Sequence, residues 1–129
     1  MKATNANVDI VRIITDIEAI SKVDMICIQF PDPHFKTKHK KRRVVKDDFV
    51  EAVAGKIKSG TRVFLQSDVV EVIEDMVATF AANSNFISSD SYDINNLNSN
   101  KSPVAVQTER EKATIAKGLP VYRMLFARK

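Results

Sequence analysis

Apolar residues recur along the chain with two alternating periods. Val8, Val11, Ile14, Ile17 and Ile20 fall at nearly helical spacing, which predicts an amphipathic helix over 9–20. The next run, V-D-M-I-C-I-Q-F at 23–30, is short and mostly apolar. It stops at Pro31 and Pro33, which cannot donate to a strand ladder, and reads as a strand. Helical spacing returns over 46–57, with a stop near Gly60. T-R-V-F-L-Q-S-D at 61–68 is a second strand. A third helix is predicted over 69–82, with Val69, Val72, Ile73, Met76, Val77 and Phe80 on its apolar face. Two apolar strands separated by a helix predict a parallel βαβ unit, covered on both faces and crossing over right-handedly. Asp32 and Asp68 then arrive at one sheet edge, the edge where open α/β sheets bind ligands.

Twelve of the twenty residues from 83 to 102 are Asn or Ser, which predicts a flexible surface insertion over 83–103 around a short strand near Phe86. A helix over 108–118 and a strand to the end of the chain follow. No internal repeat is present. A sheet that opens on a helix, with only two clear parallel strands, predicts a partial α/β domain over 1–129. Its first edge would be covered by a missing N-terminal half or by a partner chain.

The 129 residues suffice for one domain with a core; 44% are hydrophobic and 28% charged, which excludes a collagen-like or wholly disordered chain. No apolar run approaches the roughly 20 residues of a membrane span, and the first residues lack the apolar core of a secretory signal. These features predict an intracellular protein, in the cytoplasm or alternatively the nucleus or a plastid. Cys27 is the lone cysteine and the glycines are only Gly55, Gly60 and Gly118, so there is no internal disulfide and no glycine-rich nucleotide loop. No metal-ligand spacing is present.

Charge changes the picture. The net +4 conceals seven Lys and Arg between Lys36 and Lys46, with no acid among them. Taking those seven from the twenty leaves 13 bases against 16 acids elsewhere. A cationic device on a slightly acidic body faces a polyanion, because phosphate contacts release counterions.

The segment over 29–45 reads Q-F-P-D-P-H-F-K-T-K-H-K-K-R-R-V-V. A strand ending in F-P-D-P, then an aromatic, a lysine and the basic run, closely resembles the tRNA (guanine-N7-)-methyltransferase family, in its cyanobacterial and plant branch. F-L-Q-S-D-V-V-E-V (64–72), T-E-R-E…G-L-P-V-Y-R (108–123) and N-A-N (5–7) match in the same order. The resemblance implies the C-terminal half of a class I S-adenosylmethionine-dependent methyltransferase (Rossmann-like) fold. The early strands and the acidic, glycine-rich cofactor loop have no counterpart in the chain. It also implies methylation of a guanine in the variable loop of tRNA.

By that resemblance Asp32 is the catalytic acid, close to the cofactor pocket, and Asn5 contacts the adenine end of S-adenosylmethionine. Lys36 lies nearest the substrate guanine, with Asp68, Thr108, Glu109, Arg110 and Glu111 as further substrate contacts. Lys38, His39, Lys40, Lys41, Arg42 and Arg43 hold the tRNA backbone, since clustered bases give phosphate affinity with little sequence readout.

Local readings stand beside these. Asp32 also suits a proline-stiffened turn, and Asp68 an N-cap for the helix at Val69. Thr108 and Glu111 form a T-x-x-E capping box, and the basic run resembles a nuclear localisation signal. Cys27 reads as a small buried hydrophobe, Tyr122 and Phe126 as core. The alternatives to an enzyme are a non-catalytic tRNA-binding fragment or subunit, or an α/β domain with an import tag.

Overall fold

The short apolar run beginning at Met25 forms β1 (Met25–Gln29) in a computed structural model, which describes residues 22–33, 43 and 45–129. The helix expected over 9–20 lies outside these residues, as do Asn5, Lys36, Lys38, His39, Lys40, Lys41 and Arg42. Then come α1 (Asp47–Lys56), β2 (Arg62–Ser67), α2 (Val70–Ala81), β3 (Phe86–Ser88), a 3₁₀ turn (Leu97–Ser99), α3 (Glu109–Ala116) and β4 (Tyr122–Arg128). The strands form one sheet in the order β1-β2-β4-β3.

β1 and β2 pair in parallel, from Met25 opposite Arg62 to Gln29 opposite Gln66, so the expected βαβ unit is present with α1 as its crossover. β4 runs antiparallel to both β2 and β3. Tyr122 opposes Ser67, so β4 begins at the edge where β1 and β2 end.

Register divides the sheet into two faces, because paired residues share a side. Ile26, Ile28, Val63, Leu65, Met124 and Phe126 form one face and join the core with Val50, Val53 and Ala54 of α1. From α2 come Val72, Ile73, Met76, Val77 and Phe80, the apolar face the spacing predicts. Burying side chains of this size contributes about 1.5–3 kcal/mol each. Phe80 also meets Phe86 edge-on at 5.0 Å and stacks on Phe126 at 5.7 Å between ring centroids. The other face carries Cys27, Phe64 and Leu125, then a polar row at its end: Gln29, Gln66 and Arg123.

The Asn/Ser-rich segment supplies the short strand β3 and packs against β4 through Asn100, which is buried. The Asn100 side chain accepts the Asp93 N–H at 2.8 Å and donates to the carbonyls of Asp93 (3.1 Å) and Arg123 (2.6 Å). A short amide can thus satisfy backbone groups that have no ladder partner. α3 ends at a left-handed glycine, Gly118 (φ +71°), with the Leu119 N–H returning to the Thr114 carbonyl. No described helix is long and apolar enough to cross a membrane.

One residue departs from ordinary backbone geometry. Phe30, directly after β1, has φ +51°, although it is neither glycine nor asparagine and precedes a proline. Such a conformation costs on the order of 1–3 kcal/mol and persists only where neighbours hold it. Its N–H donates to the Gln66 carbonyl at 2.7 Å, extending the ladder into the turn.

Candidate functional site

Parallel pairing brings the ends of β1 and β2 together. Asp32 lies three residues past Gln29 and Asp68 two past Gln66, and those glutamines are partners in the register. Both acids therefore reach the same sheet edge, as the sequence predicts. Asp32 is exposed, on a turn whose buried residue is Pro31.

Asp68 does not cap α2. That helix begins at Val70 with Val69 in the cap position, and the Ser67 hydroxyl accepts the Val69 N–H at 3.1 Å. The Asp68 carboxylate instead turns across the edge to α3. One of its oxygens accepts from Arg110 Nε and Nη2, each at 2.9 Å, and from Thr114 Oγ1 at 3.1 Å. An incoming guanidinium competes better for a carboxylate than a single backbone N–H does.

The T-x-x-E tetrad splits. Thr108 is the N-cap of α3, its hydroxyl accepting the Glu111 N–H at 3.0 Å. Glu109 points to solvent and pairs with Lys112 at 3.5 Å. Glu111 does not close a capping box. Its carboxylate is buried, 1% exposed, and meets Arg123 Nη2 at 2.8 Å. Burying a lone carboxylate would be costly, so the ion pair, not the cap, sets its direction.

That pair belongs to a network no single motif reveals. Arg123 Nε donates to Gln66 Oε1 at 2.6 Å, and Gln66 Nε2 donates to Gln29 Oε1 at 2.8 Å and to Glu111 Oε1 at 3.4 Å. Arg123 Nη1 reaches the Asn100 carbonyl at 3.0 Å. Gln29, Gln66, Asn100 and Arg123 were not among the expected site residues. Gln29, Gln66 and Arg123 fall inside the matching motifs as polar residues near the ends of apolar strands. Asn100 is one of many Asn in its segment, so no local signal marks the four as partners. Beside the network a cleft of about 600 Å³ opens, lined by Lys101, Val104, Gln107, Glu111, Lys112 and Arg123.

Of the basic run from Lys36 to Arg43, the described residue is Arg43. Its side chain is 10% exposed, and Nε donates to the Pro33 carbonyl. Nη2 meets Glu71 at 3.0 Å and Nη1 meets Asp75 at 3.6 Å, both on α2. Cys27 is half-buried in mid-strand, and burial pushes its thiol up, with Arg62 opposing the shift. A raised thiol is a poor nucleophile, in keeping with a packing role. No cluster that could hold a metal ion occurs among the described residues.

The edge thus gathers Asp32, Asp68 and the start of α3, and behind them the Gln29–Gln66–Arg123–Glu111 network. Carboxylate and amide oxygens in such an array can accept the N–H groups of a planar base. A protein-family model described as "Putative methyltransferase" matches residues 3–124. The chain belongs to this methyltransferase family. It is 43% identical over 125 residues to the tRNA (guanine-N(7)-)-methyltransferase of Synechococcus elongatus, covering 97% of this chain and 56% of that protein. To the proteins of the same name from Thermosynechococcus vestitus and Trichormus variabilis it is 44% and 48% identical, covering 96% and 80% of this chain and 54% and 46% of those. The chain spans about half the length of these relatives.

Proposed function

We propose that this chain is the substrate-binding half of a tRNA (guanine-N7-)-methyltransferase, which moves a methyl group from S-adenosylmethionine to N7 of a guanine in tRNA. The observation that supports it best is the convergence of Asp32, Asp68 and the T-E-R-E turn of α3 on one sheet edge. The basic run follows Asp32 directly in the chain.

Guanine N7 carries a lone pair and no proton, so the reaction calls for no strong base. The purine must be held in line with the methyl group, and positive charge must be tolerated as it develops. Asp32 serves both needs, accepting guanine N–H groups and offsetting the developing charge. Asp68, Thr108, Glu109, Arg110 and Glu111 form the edge that receives the substrate guanine, and the run from Lys36 to Arg42 takes the phosphates. S-adenosylmethionine, when bound, supplies the methyl group. The described residues do not make a full pocket for it: the three glycines lie in α1, before β2 and after α3, and none follows a strand at the substrate edge. Asp32 and Asn5 are the positions of this chain assigned to that pocket. The outer edge of β1, which has no strand partner among the described residues, suits docking of the remaining half or of a partner chain. With tRNA as substrate, the cytoplasm is the fitting compartment.

The test joins this chain to the donor-binding half of a cyanobacterial relative and follows methyl transfer to unmodified tRNA. The chain alone binds tRNA with little turnover, and the joined protein turns over. Asp32→Asn in the joined protein slows transfer about a hundredfold with tRNA affinity unchanged. Loss of all tRNA binding by the joined protein overturns the proposal. A second reading, a non-catalytic tRNA-binding unit, draws on the half-length coverage of the relatives. Binding without transfer in the joined protein would favour it.

A further inference from the structure

The turn that presents Asp32 is strained at its first residue and needs fixed ends. The Phe30 N–H on the Gln66 carbonyl fixes the start. Pro31 and Pro33 have no N–H to donate, so neither can add a backbone hydrogen bond of its own. A further anchor comes from Arg43. Arg43 lays its guanidinium between the Pro33 carbonyl and two carboxylates of α2, Glu71 and Asp75, one helical turn apart. The same side chain lines a small cleft with Pro31, Asp32, Val45, Val72 and Met76, so the clasp sits directly behind the turn.

We propose that Arg43 is a positioning residue: it clamps the Asp32 turn to α2 and makes no contact with RNA phosphate. The clamp rests on the reading of Asp32 as the acid that steadies the substrate base, but its geometry does not depend on that reading. A guanidinium suits this place because its planar fork serves several acceptors at once, whereas an ammonium is a point charge. The basic run is therefore divided in function. The residues up to Arg42 serve the polyanion, and Arg43, already covered by its own protein's acids, holds the Asp32 turn.

Two measurements on this chain separate the roles. The first is hydrogen exchange of the Phe30 amide. Arg43→Gln speeds it about tenfold or more, as expected for loss of a charged hydrogen-bond cluster, and Arg43→Lys restores part of the protection. The double variant Glu71→Gln, Asp75→Asn leaves the basic run intact and speeds the same exchange, a safeguard should Arg43→Gln fold poorly. The second is the slope of tRNA affinity against salt. Arg42→Gln lowers it by roughly one, and Arg43→Gln leaves it at the wild-type value. Unchanged Phe30 exchange in the acidic double variant overturns the clamp. A slope reduced as much by Arg43→Gln as by Arg42→Gln overturns the division of the run. Should the wild-type chain bind no tRNA, the function proposed above fails, and the exchange measurement still decides the clamp.

Discussion

Glu111 shows how much one side chain's neighbours decide. On α3 it occupies the position of a capping-box acid, yet its carboxylate lies 1% exposed against Arg123 and Gln66. Removing one member of a buried ion pair strands the other, so Glu111→Ala should cost about 3–5 kcal/mol of folding stability, read by urea unfolding. Glu111→Gln keeps the volume and a hydrogen-bond acceptor and should cost clearly less. Equal losses for the two variants would mean that the Arg123 contact is incidental. Arg43 and Asp68 carry the same lesson. Each has an evident local role, phosphate contact for one and helix cap for the other, and each is engaged by a group far along the chain.

The described helices and strands were largely legible, since each is encoded by a local period. The five core residues of α2 all belong to the face that its spacing marks. Boundaries moved by a residue or two where a side chain found another use, as at Asp68. α3 is the most polar of the described helices, with only Glu111 and Thr114 buried, so it depends on its cap more than α2 does. Thr108→Ala should therefore lower stability by about 1 kcal/mol, with Thr108→Ser close to wild type, again by urea unfolding. No measurable difference between Ala and Ser would show that the cap contributes nothing to α3. The Asn/Ser-rich segment was readable only as composition. Its strand β3 and the buried Asn100 depend on β4, more than twenty residues downstream, which composition does not address.

At the level of the whole molecule, charge and length matter most. A body with more acids than bases carries one concentrated cationic segment, so under the proposed function tRNA affinity should fall steeply with salt. Neutralising the five Lys and Arg from Lys36 to Arg42 should lower the slope of log affinity against log salt by roughly three to five. A slope left unchanged would place the RNA surface elsewhere. The chain matches only about half of its relatives, and its sheet leaves the outer edge of β1 without a strand partner among the described residues.

What the sequence settled alone is what neighbouring positions can encode: strand and helix periods, the parallel unit, the clustered bases and the ordered motifs that mark the family. Periodicity and contiguous motifs survive without knowledge of contacts. What only the folded chain decided is which polar group meets which. Arg43 meets Glu71 28 positions away, Arg110 meets Asp68 at 42, and Arg123 meets Gln66 at 57. Those meetings follow from strand register and helix docking, and a side chain's partner is set by distance in space, which a linear pattern does not contain.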